Sequence, residues 1–251
     1  MKHSSKLMER GIDMKLSLAG LNIEANTRFE FVNKLTEDYR SNSEAVDFSV
    51  TVDDGDIKAE AAASEIKYGA GYLESIALYR KIAEKLPFYD AVVFHGAVIA
   101  YEGKAYAFTA RSGVGKTTHI RLWLERFGKK VHVLNGDKPI LRVIDGVIYA
   151  AGTPWRGKEG YGIPEMLPLE AVAFIDRAEE PSADEITLSD ALVRFASQIY
   201  VPNEPRAAAL SLSVLNRVIS GVKLFDVFAN MKPESAEVSF KALTGDDPSS
   251  L

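Results

Sequence analysis

The chain has 251 residues, 47% hydrophobic and 26% charged, with a formal net charge of −5 and no cysteine. That is the balance of an ordinary globular chain, long enough for one α/β domain and part of another. It excludes disulfides, thiol catalysis and cysteine-held zinc, and argues against a broad electrostatic grip on nucleic acid or an anionic membrane.

The N-terminus, Met1-Lys2-His3-Ser4-Ser5-Lys6, is basic but leads into no apolar core, so it does not read as a signal peptide. No apolar run approaches the ~18 residues of a membrane helix. The expectation is a cytoplasmic protein, with residues 1–13 a loose extension. Residues 16–23 read as a strand and 28–40 as a helix. Val46, Phe48, Val50 and Val52 alternate as in a half-buried strand, and Asp53-Asp54-Gly55-Asp56 reads as a turn. Tyr72, Ile76, Tyr79, Ala83 and Leu86 recur at helical spacing until Pro87.

From Ala91 the composition changes. Residues 91–101 and 104–109 are apolar, β-rich runs joined by Glu102-Gly103, a hairpin signal. A glycine-rich loop follows, then a helix with Ile120, Trp123, Leu124 and Phe127 on one face and Gly128 at its end. Residues 131–134 form a short buried strand, and 140–144 and 147–150 flank Asp145-Gly146, a second hairpin signal. Residues 152–162 form a loop, 171–175 a strand, 190–200 and 206–219 helices, and 222–228 a last strand. The tail after Gly245 is expected to be disordered. This organisation gives a small N-terminal α+β region over 14–88 and a larger core over 91–245 that carries the glycine-rich loop.

The loop Ala110-Arg111-Ser112-Gly113-Val114-Gly115-Lys116-Thr117 has the form of a phosphate-binding loop, with Ala110 in the first place where glycine is usual. Consecutive backbone N–H groups in such a turn converge on phosphate oxygens, helped by the positive end of the following helix. Gly113 and Gly115 allow backbone angles that a β-carbon penalises. Lys116 is placed to reach the β and γ phosphates, and the Thr117 hydroxyl to ligate Mg²⁺. The nucleotide is expected to touch Arg111, Ser112, Gly113, Val114, Gly115, Lys116, Thr117 and Thr118, with ATP and Mg²⁺ as cofactors.

The segment Phe94-His95-Gly96-Ala97-Val98-Ile99, the hairpin, and Phe108-Thr109-Ala110-Arg111-Ser112-Gly113-Val114-Gly115-Lys116-Thr117 resemble the catalytic domain of HPr kinase/phosphorylase, a bacterial serine kinase. The loop is also similar to that of ATP-dependent phosphoenolpyruvate carboxykinase, which shares the fold. The resemblance covers about residues 91–140. It implies an α/β core with a phosphate loop and a mixed sheet, and an acidic pair at the end of the strand after the loop. One acid of that pair acts on the acceptor hydroxyl and the next helps to hold Mg²⁺. Here Val133-Leu134-Asn135-Gly136-Asp137-Lys138-Pro139 puts Asp137 on the second acidic position and Gly136 on the first. Metal binding by Thr117 and Asp137 is therefore implied, whereas the usual base is missing. His95 matches the family's histidine-glycine pair and becomes the candidate proton acceptor.

Arg156, with Lys158 and Glu159, lies on glycine-flanked backbone that can close over a γ-phosphate and supply positive charge. Trp155 can stack on a base or anchor the loop. His119, His132 and Asp226 read as structural. The expected activity is ATP- and Mg²⁺-dependent phosphoryl transfer to a hydroxyl of a protein, a peptide or a small molecule, with His95, Lys116, Asp137 and Arg156 catalytic. The alternatives are a nucleotide-dependent regulatory protein with slow hydrolysis and, behind it, carboxykinase-like lyase chemistry. Partners are then a nucleotide and a hydroxyl-bearing acceptor, not nucleic acid or membrane, and self-association is left open.

Overall fold

A computed structural model describes residues 7–111 and 113–250, with the side chains of 7–10 left aside. The chain divides into two compact units between Leu86 and Pro87.

In the first unit, strand β1 (Leu7–Leu18) and β2 (Leu21–Phe29) form an antiparallel hairpin, and β3 (Phe48–Thr51) pairs in parallel with β2. The hairpin turns at Ala19-Gly20, both with positive φ, the geometry a two-residue turn needs to match strand twist. The single strand expected over 16–23 is therefore two strands folded back on each other. Residues 7–13 belong to β1 rather than to a loose extension, while 1–6 lie outside the described residues. The helix expected over 28–40 is shorter: α1 (Glu30–Leu35), followed by a 3₁₀ turn, Glu37–Tyr39.

Asp53 to Asp56 do not simply turn the chain. The Asp53 carboxylate accepts from the Gly55 and Asp56 N–H groups, and Asp56 answers to the Asp53 N–H. This reciprocal cap starts α2 (Asp54–Ala63), which has no apolar stripe to announce it. Helix α3 (Ala70–Lys85) brings Leu73, Ala77, Leu78 and Ile82 into the core. Its buried Glu74 accepts from the Arg28 and Phe29 N–H groups, at 2.6 and 2.8 Å, where β2 ends.

Among the described residues, the second unit is built on a nine-stranded mixed sheet. Its strands and helices, in chain order, are β4 (Ala91–Val93), β5 (Ala97–Tyr101), β6 (Lys104–Thr109), α4 (Lys116–Phe127), β7 (Val131–Asn135), β8 (Ile140–Ile144), β9 (Val147–Ala151), β10 (Met166–Arg177), β11 (Ser182–Glu185), α5 (Leu188–Ala196), α6 (Pro205–Gly221), β12 (Lys223–Ala229) and α7 (Glu234–Thr244). The strand order is β4-β8-β9-β10-β6-β5-β7, and β12 joins the far half of β10 in parallel and carries β11 at its edge. Long β10 lets the sheet branch: its first residues pair antiparallel with β9, and the rest pair in parallel with β6 and β12.

Alternate residues of the central strands go to opposite faces. Tyr106 and Phe108 pack with Ile120, Trp123 and Phe127 of α4 and Phe240 of α7. Ala105 and Ala107 face the cluster holding Phe195 of α5 and Val214, Leu215 and Val218 of α6. Covered on both faces, the strands read as unbroken apolar runs. The run expected over 91–101 is interrupted at His95-Gly96, between β4 and β5. The tail is not disordered over the described residues: Asp246 accepts from the Tyr101 hydroxyl at 3.1 Å, and the Pro248 carbonyl accepts from Arg126 at 2.9 Å. Among the described residues no helix is long and apolar enough to cross a membrane.

Candidate active site

The glycine-rich loop joins the end of β6 to the start of α4, with Gly113 at φ 80° and Gly115 at φ 130°. Both angles are ones that a side chain disfavours, which explains glycine at these two places. The Val114 N–H closes a turn on the Arg111 carbonyl at 3.2 Å. Helix α4 then begins with Lys116; its N-cap residue, Gly115, has no side chain to bond to the first N–H groups, and its first turn holds no acidic residue. A cation at that end opposes the helix dipole. Uncapped donors and a lysine together make a locally positive site that favours an anion.

Three sequence candidates meet there. Lys116 Nζ lies 3.9 Å from Asp137 Oδ1, and His95 Nε2 lies 3.5 Å from the same oxygen. Lys138, which the sequence reading did not single out, reaches Asp137 Oδ2 at 3.0 Å. Burial alone would raise the Asp137 pKa, but the contact from His95, then Lys138 and Lys116, brings it down to about 2. Burial lowers the pKa of Lys116, with Asp137 opposing that effect. The carboxylate stays ionised at neutral pH and sits among three groups able to carry positive charge.

The chain holds this cluster by backbone bonds. Asn135, buried at the end of β7, accepts from the Asp137 and Lys138 N–H groups at 2.8 and 2.7 Å, while its amide donates to the Thr153 carbonyl at 3.0 Å. Thr153 donates in turn to the Lys138 carbonyl at 2.7 Å. Asn135 is thus an Asx-type turn former that fixes Asp137, a role its place at a strand end makes legible in hindsight. His95 is tied by its N–H to the Gln198 carbonyl, at 2.6 Å, and by its carbonyl to the Thr109 hydroxyl, at 2.9 Å. Its side chain is 46% exposed, so it is not a core histidine.

Gly136 is closed over by the loop after β9. A β-carbon there would stand 3.1 Å from the Arg156 carbonyl and 3.4 Å from Tyr161 Cβ. Arg156 lies with its aliphatic stem against Gly162, and the next residue, Gly157, packs against Asp137. Lys158 and Glu159 are exposed. Thr117 and Thr118 lie in the first turn of α4, Thr117 exposed and Thr118 half-buried. Ser112 lies outside the described residues.

The structural histidines differ in setting. His119 is buried, with Nε2 2.9 Å from Ser239 Oγ, and burial lowers its pKa to about 4. His132 is half-exposed and reaches Glu165 at 2.7 Å, and Asp226 pairs with Arg194.

Beside the loop, a cleft of about 460 Å³ opens over the ends of β6, β10 and β12 under α5. Thr109 and Gln198 line it and are the same residues that bond to His95. Its two arginines are each matched by a carboxylate: Arg111 lies 3.2 Å from Asp176, and Arg194 pairs with Asp226 while stacking over the Phe174 ring at 4.4 Å. Ile175, Val193 and Phe228 supply apolar wall.

No family model matches the chain, and no curated protein matches it. Among solved structures, that of the HPr(Ser) kinase/phosphatase from Coxiella burnetii is similar over 61% of this chain and 93% of that chain, with 8% identity and a TM-score of 0.35. With so low an identity and score, the reading of the site rests on its own residues.

Proposed function

We propose that this protein binds ATP with Mg²⁺ at the loop between β6 and α4 and transfers the γ-phosphoryl group to a hydroxyl. The observation that carries the reading is the meeting of Lys116, Asp137 and His95 at the uncapped start of α4. In this reading the loop N–H groups and Lys116 bind the phosphates, and Lys116 offsets charge that develops as the bond to the leaving oxygen breaks. The acceptor oxygen attacks the γ-phosphorus, and its proton passes to the His95 imidazole. Asp137, 3.5 Å away, stabilises the imidazolium.

The described residues contain no group of three or more histidine and carboxylate side chains placed to hold a metal. One carboxylate and one hydroxyl, Asp137 and Thr117, suit an ion that keeps waters and takes its other ligands from phosphates, as Mg²⁺ does. When bound, the ion supplies charge neutralisation on the β and γ phosphates.

The acceptor belongs, in this reading, in the cleft lined by Thr109 and Gln198, the two residues that bond to the His95 backbone. Its volume is that of a small-molecule site. Both arginines among the described lining residues, Arg111 and Arg194, are already paired with aspartates. That favours an acceptor, or a peptide side of one, with an apolar body over a sugar phosphate. The test is a screen of hydroxyl acceptors with γ-labelled ATP. Label transfer to an apolar alcohol or serine peptide is expected, and ATP binding with no acceptor-dependent consumption would overturn phosphoryl transfer.

That second outcome is what a nucleotide-binding regulatory protein would show. It is favoured by one observation: the position where the resembling kinases keep their first acid is Gly136, packed beneath the Arg156 carbonyl.

A further inference from the structure

The two last residues of β10 both turn toward the glycine loop. Asp176 reaches Arg111, at the loop's beginning. Arg177 reaches its middle: Nε donates to the Val114 carbonyl at 2.7 Å and a terminal nitrogen donates to the Gly113 carbonyl at 2.6 Å. Arg177 is exposed, so core packing does not account for it. No feature of the sequence near Arg177 announces this role; it follows from β10 lying beside β6 in parallel register, Phe174 opposite Thr109.

We infer that Arg177 is a positioning residue for the phosphate loop, an inference that rests on the nucleotide reading above. Across a trans peptide the C=O of one residue and the N–H of the next point in opposite directions. Pinning the Gly113 and Val114 carbonyls to one guanidinium therefore fixes both peptide planes: the Val114 N–H keeps its turn bond to the Arg111 carbonyl, and the Gly115 N–H is aimed away from the guanidinium. The planar fork of arginine suits two adjacent carbonyls, which a single ammonium does not match. A loop held in this way loses less conformational freedom when polyphosphate binds, and that preorganisation raises affinity. The ligand feature that Arg177 serves is the polyphosphate chain, not the base.

Calorimetry on the full chain tests this with Mg–ATP and Mg–tripolyphosphate as probes, on wild type, R177A, R177K and K116A. R177A should weaken both probes by the same factor, about tenfold, with the melting temperature held within about 2 °C. R177K should restore only part of the affinity. Should R177A fail to fold, R177Q keeps chain length and a donor amide and is expected to weaken both probes in the same way. Wild-type affinity in the Arg177 variants while K116A loses binding would overturn the positioning role alone. A loss that merely tracks the folded fraction, or one confined to ATP, would overturn it too. Undiminished binding by K116A would remove the nucleotide reading and this inference with it.

Discussion

The Lys116 ammonium stands 3.9 Å from the Asp137 carboxylate, and both are largely shielded from water, with 16% and 31% of their side chains exposed. Burial works against the charge on each; at Lys116 it is the larger effect, whereas at Asp137 the contacts from His95, Lys138 and Lys116 outweigh it. Lys116→Ala should weaken Mg–ATP binding by at least about tenfold and leave the fold intact, since it also removes a cation that burial disfavours. Calorimetry with Mg–ATP, beside a thermal melt, checks both parts; unchanged affinity would sink the loop assignment.

Asp137→Asn should leave metal-free nucleotide binding nearly intact and remove the response to Mg²⁺, because an amide does not neutralise a cation. It should also lower stability at neutral pH. The folded-state pKa is depressed to about 2, so the ionised form contributes stability above the ordinary aspartate range, and that contribution is lost as pH falls through it toward 2. Titrating nucleotide binding with and without Mg²⁺, and urea melts at pH 7 and pH 3, would read the two effects. A mutant with a full Mg²⁺ response would remove Asp137 from the metal site.

Gly136→Asp restores the acidic pair that the family resemblance implies, and on that ground alone activity would rise. The packing argues otherwise. The new β-carbon would meet the Arg156 carbonyl at 3.1 Å, a backbone atom with little room to yield, so the loop after β9 must lift. The expected result is a loss of roughly 1–3 kcal/mol of stability with no gain in turnover. A stable variant with higher acceptor-dependent ATP consumption would show that the loop yields and the family's base can be rebuilt.

His95→Gln is expected to hold ATP affinity and melting temperature while cutting turnover by roughly 10²-fold. The half-exposed side chain makes the first part a structural expectation, and the 3.5 Å approach to Asp137 motivates the second. A destabilised but catalytically normal protein would end the proton-acceptor role.

His119 provides a pH test away from chemistry. Its Nδ1 is buried with no hydrogen-bond partner among the described residues, and its pKa falls to about 4. The unfolded chain takes up the proton near pH ~6.5, the folded one only near 4. Stability should therefore fall as pH drops from about 6.5 to about 4, by roughly 3 kcal/mol at most, and be flat with respect to this group above that window. Urea midpoints across pH 7 to 4.5 for wild type and His119→Gln measure it; equal slopes in the two proteins would show that His119 does not titrate in this way.

Local order determined much of this protein. The apolar run in 104–109, the glycine spacing at 113 and 115, and the helical stripe of Ile120, Trp123 and Phe127 each depend on neighbours in the chain, so the strand, loop and helix that carry Lys116 are legible residue by residue. The hairpin at Ala19-Gly20 and the helix after Asp53 were harder to read, because the first lacks the usual turn pair and the second lacks an apolar face. What only the tertiary structure decided is which distant groups meet. His95, Lys116 and Asp137 come together because β5 lies between β6 and β7 in the sheet, and Arg177 reaches the glycine loop because β10 runs parallel to β6. Strand order is set by burial summed over both faces of the sheet, and a pattern of period two along one strand carries no record of which strand will lie beside it.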